Sequence, residues 1–264
     1  MDNVNKTLYI PLYGKAYVSK KGIILSDKTA EEIWSKEGFA LNGKAKSKWL
    51  AYYMGMRSAT IDSWVKGQIS NSNDCIILHL GCGLDSRVIR IGDCPFIWFD
   101  IDFESVIKER EKYFNQTEKY QMLCQDVKNG DFVAQLPNAK KAIVIMEGVS
   151  MYLQEEELKN CLIKITSKFE EVAYMVDCYM PFAAKMSKLK NPIKSVGVSQ
   201  VYGIKDEFVL EEGTDLKFVK EHEITPQYLI EELSGVEKKL FKRLYAGKTS
   251  KKLYKLYEYR KQKD

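Results

Sequence analysis

Between residue 75 and about residue 180 two textures alternate. Short apolar runs occupy 75–80, 96–101, 120–124, 142–146 and 171–178. Amphipathic stretches separate them at about 85–91, 104–115, 129–135 and 154–168. Runs this short and apolar predict strands, and the stretches between them predict helices. Their alternation argues for a doubly wound, mostly parallel α/β sheet. Residues 1 to about 72 read as helical. Thr29-Ala30-Glu31-Glu32 fits a capping box for a helix through Ser35. Ser47 to Ile69 carries Trp49, Leu50, Tyr53, Met54, Met56, Ile61, Trp64 and Val65 at mixed helical spacings. That predicts one or two helices packed on another layer. In the last third, Val201–Val209 and Leu216–Glu223 read as strands, Pro226–Leu233 as a helix and 249–263 as a terminal helix. Antiparallel strands after a parallel set give a mixed sheet. No repeat, low-complexity tract or Pro/Gly/Ser linker breaks the chain. The expected organisation is one domain over 1–264: a helical cap at 1–72, a cofactor-binding core at 73–180, and an acceptor-side lid with sheet completion at 181–264.

The first apolar run carries the most chemistry. Ile76-Ile77-Leu78-His79-Leu80 ends in Gly81-Cys82-Gly83-Leu84-Asp85-Ser86-Arg87. A strand, a Gly-x-Gly turn and a helix start present backbone N–H groups to a nucleotide-like ligand. The next run, Phe96-Ile97-Trp98-Phe99-Asp100-Ile101-Asp102, ends in acid. Asp100 and Asp102 lie 17 and 19 residues past Gly83, where a ribose-binding acid belongs. The dinucleotide fingerprint needs Gly or Ala at its sixth position. Here that position is Ser86, which lowers the dehydrogenase reading. A loop carrying Asp85 suits S-adenosylmethionine better than a pyrophosphate, because that ligand has no phosphate, a sulfonium cation and an ammonium group. Two further strand ends carry Asp126 and Glu147-Gly148. Ligands of open α/β sheets sit beyond the carboxyl ends of the strands. The row of Asp102, Asp126 and Glu147 there suits a cationic, hydroxyl-rich ligand with an amino-bearing base.

Composition narrows the setting. The net charge is +5, and 45% of residues are hydrophobic. From Glu237 to Asp264 there are eleven Lys/Arg and three Asp/Glu, so the rest is slightly acidic. A basic end can attract nucleic acid or anionic membrane. The plainer reading is a solvated terminal helix, docked through the i, i+3, i+4 stripe of Leu253, Leu256 and Tyr257. Six cysteines with no Cys-x-x-Cys pair, and only two histidines, argue against a disulfide framework or a zinc site. No apolar run approaches the ~20 residues of a membrane span. The start lacks a basic segment followed by an apolar core, so no secretory signal is expected. The expectation is a cytoplasmic protein with no membrane partner.

These segments together resemble the leucine carboxyl methyltransferase family. The resemblance rests on Met56-Arg57-Ser58-Ala59-Thr60-Ile61-Asp62, Leu80 to Arg87, Phe99-Asp100-Ile101-Asp102-Phe103, Gln125-Asp126-Val127, and Glu147-Gly148-Val149-Ser150-Met151-Tyr152-Leu153. It is strongest over about 50–180. The family includes enzymes that methylate the C-terminal leucine of protein phosphatase catalytic subunits. It also includes tetracenomycin-type polyketide O-methyltransferases and a tRNA-wybutosine branch. The resemblance implies a Rossmann-like class I methyltransferase fold with S-adenosylmethionine as donor. Carried over by residue, Arg57 would hold the cofactor carboxylate as a bidentate partner. Gly81 and Gly83 would let the backbone approach. Asp102 would take the ribose hydroxyls, and Asp126 the adenine amino group beside the Val127 backbone. Glu147 would sit near the methionine end, and Tyr152 would face the acceptor as the catalytic-side residue. Lys15 aligns loosely with the family's N-terminal cofactor-side cation. The chain departs from the family at Phe103-Glu104, where Pro often follows the acid–apolar pair, and at Asp100, where Glu is usual.

Methyl transfer is an in-line displacement that depends mostly on positioning and exclusion of water. A carboxylate acceptor is ionised at pH 7 and needs no base. That fits the lack of a His/Asp pair near the motifs. His79 reads as a satisfied buried histidine, while His222 ends a late strand and is the one alternative base. The expected function is O-methylation of a carboxylate on a small molecule or peptide. The alternatives are an RNA-modifying methyltransferase using the basic end, with nucleic acid the less favoured partner, and a non-catalytic S-adenosylmethionine-binding protein. The 182–200 stretch, with Lys185, Lys188, Lys190 and Lys194, is expected to form the lid on the acceptor side.

Overall fold

The computed structural model describes residues 5–37, 41, 43–187 and 201–261. Its centre is one seven-stranded sheet. The strands are β1 (Cys75–Leu80), β2 (Ile97–Asp102), β3 (Tyr120–Cys124), β4 (Lys141–Met146), β5 (Glu171–Tyr179), β6 (Lys217–His222) and β7 (Tyr254–Lys261). Their order is β3-β2-β1-β4-β5-β7-β6. The first five are parallel, and β7 runs antiparallel between β5 and β6. This is the expected mixed, doubly wound sheet.

Successive side chains on a strand alternate between faces. On one face Leu78, Val144 and Val176 pack with Leu158, Cys161, Leu162 and Ile165 of α6 (Glu155–Lys168). On the other, Ile77, Ile143 and Ile145 meet two further helices. These are α3 (Lys48–Ser70), through Ile61, Trp64 and Val65, and α5 (Glu104–Arg110), through Ile107. Both faces are covered, which explains why β1 is buried at every position.

The N-terminal region is helical, as expected. It holds α1 (Tyr9–Lys21) and α2 (Lys28–Glu37), and α3 is one continuous helix. Helices α1 and α3 approach closely through glycine. A Cβ on Gly14 would lie 2.7 Å from the Met54 Cβ, and one on Gly55 would lie 2.8 Å from Val18 Cγ2. The cap of α2 is Asp27, not Thr29. Asp27 Oδ1 accepts from the Ala30 N–H at 2.9 Å and also binds the Ser86 hydroxyl. Asp is a stronger cap than Thr, and this one is anchored across the fold. The short helix α4 (Arg87–Ile91) follows the glycine turn. Beyond β5 lie α7 (Pro181–Ser187), α8 (Gln227–Glu231) and α9 (Gly235–Tyr245).

Three expectations need correction. Residues 201–204 belong to no strand and 205–208 turn, so the Val201–Val209 strand is absent. Residues 131–135 form a 3-10 turn, not an α-helix. The predicted terminal helix at 249–263 is mostly strand β7. Its residues fit both periods, because Leu256 and Tyr257 serve a helical stripe as well as a strand. Tertiary pairing decides the matter. Tyr254 and Leu256 fill one face of the sheet, while Tyr257 and Tyr259 fill the other. Three tyrosines suit a pleated, half-buried surface. Glu258 is buried within this strand, bonded to His222 at 2.7 Å and to Arg260 at 2.8 Å. Of the expected lid, Phe182 and Lys185 are exposed on α7, and Lys188, Lys190 and Lys194 lie outside the described residues. Among the described residues no helix is long and apolar enough to cross a membrane.

The β7 assignment predicts that Leu256→Ala costs about 2–5 kcal/mol, because Leu256 is fully buried between layers. Urea unfolding measures it.

Candidate functional site

The carboxyl ends of β1 to β5 open into a cavity of about 800 Å³, roofed by α1 and α3. Such a volume lies in the upper part of the ~300–1,000 Å³ range of small-molecule sites. All eight residues singled out from the sequence line it: Arg57, Gly81, Gly83, Asp102, Asp126, Val127, Glu147 and Tyr152.

The glycine turn forms the floor. Gly81 has φ +65°, and a Cβ there would lie 2.3 Å from Val149 Cγ2, so only glycine fits. Asp102 accepts from the Gly83 and Phe103 N–H groups, each at 2.8 Å. Burial raises its carboxyl above the ordinary value, and the two N–H groups oppose that rise. The underside of the turn is held by Arg110, a residue the sequence reading passed over. Its Nη1 donates to the carbonyls of Gly83 at 2.9 Å and Asp85 at 2.7 Å. Its Nη2 binds Asp100 and donates to the Tyr120 hydroxyl at 3.0 Å. The guanidinium lies 4.1 Å over the Phe114 ring. Burial pushes Asp100 up, but Arg110, His79 and Tyr120 outweigh it and hold the carboxyl at about 2.

A lattice of buried ions occupies the opposite side. Arg57 Nε donates to Glu147 at 3.0 Å, and Nη1 to Asp177 at 2.8 Å and the Tyr254 hydroxyl at 2.9 Å. Arg87 binds Glu147 from the other side and donates to Asp62 at 2.7 Å. Arg90 bridges Asp27, Asp62 and Asp85, each at 2.7 Å. Lys15 of α1 meets Asp85 at 3.2 Å, although both are nearly inaccessible. Burial disfavours the charged forms of Glu147 and Asp85. Arg57, Arg87 and Lys15 outweigh it for Glu147, and Arg90, Lys15 and Arg87 do so for Asp85. Both carboxyls stand well below the ordinary range. Asp177 is raised by burial and by Glu147, against the pull of Arg57. His79 is buried as expected, 3.2 Å from Asp100 at Nδ1 and 3.2 Å from Arg87 at Nε2.

Beyond these groups the character of the wall changes. Tyr53, Tyr152, Tyr179, Tyr202, Tyr245 and Tyr254 line one end of the cavity. Burial raises the hydroxyls of Tyr53, Tyr152, Tyr245 and Tyr254, so they stay protonated at neutral pH. At the other end Asp126 is half-buried. It caps a 3-10 turn through the Lys128 N–H at 3.1 Å and pairs with the Lys128 ammonium at 3.2 Å. Sequence reasoning missed Asp177, Arg110 and Tyr254. A lone Asp inside the apolar run 171–178 was the available signal for the first.

A parallel sheet with a glycine turn after β1, an acid closing β2 and an antiparallel β7 insertion defines the α/β methyltransferases. The chain belongs to the leucine carboxyl methyltransferase family, whose pattern matches residues 10–166. It is an S-adenosylmethionine-dependent O-methyltransferase of that family. It is 25% identical over 242 residues to the tetracenomycin polyketide synthesis O-methyltransferase TcmP of Streptomyces glaucescens, covering 90% of this chain and 89% of that protein. It is 23% identical over 189 residues to the S-adenosyl-L-methionine-dependent methyltransferase dpfgK of Gibberella zeae, covering 65% of this chain and 63% of that one. Among solved structures, its fold is similar to magnesium protoporphyrin IX methyltransferase from Synechocystis PCC 6803. The TM-score is 0.52 at 12% identity, covering 98% of this chain and 100% of that one. A putative sarcosine dimethylglycine methyltransferase from Galdieria sulphuraria also gives a TM-score of 0.52, at 10% identity, covering 89% and 99%.

The Arg110 cradle makes a pH-dependent prediction. Asp100 is held at about 2 against an ordinary 3.8, so its contribution to stability is complete above about pH 4 and is lost as pH falls toward 2. In Arg110→Gln the buried carboxylate loses its counter-charge. Stability at pH 7 should fall by about 3–5 kcal/mol, and the acid limb should move to higher pH. Denaturant unfolding over a pH series measures both. Asp100→Asn in the same chain should restore part of the loss.

Proposed function

We propose that this enzyme transfers the S-adenosylmethionine methyl group to a carboxylate oxygen of a small molecule or peptide. The observation that carries the reading is the acceptor-side wall. Burial raises the hydroxyls of Tyr53, Tyr152 and Tyr245, Tyr254 is engaged by Arg57 and Asp177, and no unpartnered carboxylate or imidazole stands among the described residues there. His79 is committed to Asp100 and Arg87. His222 lies in a separate, smaller cavity behind Tyr53, Tyr245 and Tyr254, and is bonded to Glu258. Such a wall can hold and orient an anion but cannot take a proton from a phenol. The likeness to a polyketide O-methyltransferase supports a small-molecule acceptor. Three of the eleven Lys/Arg of the basic end lie on strand β7, so the single basic terminal helix on which the RNA reading leaned is absent.

The residues present fit the cofactor. Gly81, Gly83 and Gly148 all have positive φ and leave room for close backbone approach. On this reading Asp102 takes the ribose hydroxyls, and Asp126 the adenine amino group beside Val127. Lys15 and Asp85 form an ion pair at the methionine end, and their charges match a carboxylate and an ammonium. Arg57 has Nε and Nη1 engaged by Glu147, Asp177 and Tyr254. It therefore offers the carboxylate only Nη2, a single-pronged contact in place of the bidentate one expected. Glu147 holds Arg57 and Arg87 in position. When bound, the cofactor supplies an electrophilic methyl on a sulfonium. The protein's part is to align the acceptor oxygen with it, with Tyr152 on the acceptor side, and to exclude water. Leu8, Ile10, Pro11 and Leu12 supply an apolar roof for that. The proposed compartment is the cytoplasm, supported by six free cysteines, four of them buried.

Calorimetry should show binding of S-adenosylmethionine and S-adenosylhomocysteine, and little of NAD. Asp102→Ala should weaken both by roughly ten- to a hundred-fold, the equivalent of one charge-assisted hydrogen bond. Arg57→Lys is the cleaner partner variant, because Arg57→Ala would strand Glu147 and Asp177. Unchanged affinity in both variants would overturn the assignment.

Acceptor chemistry has its own test. A carboxylate stays ionised above a pH near ~4, so turnover should be nearly flat from about pH 6 to 9. The labelled product should release methanol in mild alkali, as a methyl ester does. A steep rise in rate with pH, an alkali-stable product and dependence on His222 would instead show a phenolic acceptor.

A further inference from the structure

The mouth of the cavity carries a surface that methyl transfer does not use. Helix α9 turns Phe241 into the core and pairs Glu237 inward with Lys21 and Lys48. Its opposite face presents Val236, Leu240 and Leu244, with exposures of 74%, 43% and 52%. These positions are four residues apart, so they form one stripe along the helix. Lys239 and Arg243 are exposed beside the stripe and make no ion pair among the described residues. By contrast Lys238 and Lys242 share the one carboxylate of Glu231. Among the described residues, the outward face of α9 therefore carries aliphatic groups and unpaired cations, and no acid. Neighbouring α8 adds Tyr228, which is 60% exposed. The stripe ends at the cavity rim, because Leu244 lines the cavity as well.

We propose that this face docks on an anionic lipid surface, holding the cavity mouth against the bilayer. The charge pattern selects this occupant over the others. A second copy related by a two-fold axis would set Lys239 and Arg243 of one α9 near those of the other. A nucleic acid would use the cations but leave three aliphatic side chains without a partner. An anionic bilayer satisfies both, with cations at the headgroups and aliphatic groups at the acyl boundary. The stripe is short, so docking is reversible and strongly salt-dependent.

Flotation of the full chain with vesicles tests this without any knowledge of the acceptor. The expected result is binding to phosphatidylcholine vesicles that contain phosphatidylglycerol, none to phosphatidylcholine alone, and release at high salt. Lys239→Gln with Arg243→Gln should weaken partitioning by about thirty-fold. Val236→Ser with Leu240→Ser should also weaken it at unchanged charge. None of these four residues lines the cavity, so S-adenosylhomocysteine affinity should be unchanged in both variants, which also shows that they fold. Binding that ignores lipid charge, or no binding, would overturn the proposal. So would concentration-dependent self-association abolished by Leu240→Ser. So would RNA binding that needs Lys239 and Arg243 but not Val236 and Leu240.

Discussion

Glu147 sits between Arg57 and Arg87 at the end of β4, and much of the site hangs on that one carboxylate. Arg57 comes from α3 and Arg87 from α4, so the contact joins the helical roof, the helix after the glycine turn and the central strand. All three groups are nearly inaccessible. Desolvating them is expensive, and a buried pair by itself is poor evidence of stability. Here each guanidinium meets more than one carboxylate. Arg57 also holds Asp177, and Arg87 also holds Asp62. Ser58 adds a hydroxyl to Glu147 at 2.9 Å. Satisfying nearly every donor offsets the desolvation cost, and the result is a set of charges that cannot reorient. Rigid placement of charge is what a preorganised site requires.

The two sides of the glycine turn are held by separate means. The ion lattice grips it through Asp85, while Arg110 grips it from below through the carbonyls of Gly83 and Asp85. The second grip runs through α5 and β3, which share no residue with the lattice. Asp85 touches both, and His79 links them between Asp100 and Arg87.

The parallel half of the fold was legible in the sequence. Strand-length apolar runs of five to nine residues, each closed by a turn or an acid, have few alternative explanations. Gly81, Asp102 and Glu147 were legible for the same reason, since strand ends of an open sheet converge. The ion partners were not. Arg57 and Asp177 lie 120 positions apart, and nothing local in either segment points to the other. Arg110 stands in Lys108-Glu109-Arg110-Glu111-Lys112, which reads as a solvated helix face. Only the packing of α5 on β2 turns that side chain inward. Strand β7 was hidden because its aromatic and aliphatic positions suit two periods, and the choice depends on β5 and β6 supplying neighbours.

Charge is distributed unevenly along the cavity, and that distribution bears on the chemistry. Fixed ions crowd the end proposed for the amino-acid part of the cofactor, and they reach the tyrosine end through Tyr254, which accepts from Arg57 and donates to Asp177. A carboxylate entering the tyrosine end would leave water for hydroxyl groups and apolar rings, with the sulfonium as its nearest uncompensated positive charge. Transfer between these partners yields an ester and a thioether, both neutral. A medium that solvates ions poorly disfavours the charged pair more than the neutral products, so the wall assists the reaction simply by being dry. A fixed Lys or Arg at that end would weaken this effect by stabilising the carboxylate before transfer. The tyrosines orient the anion without that penalty. Arg57, which bonds to Tyr254 behind that wall, is already paired with Glu147 and Asp177, so its charge is compensated and does not offset this effect.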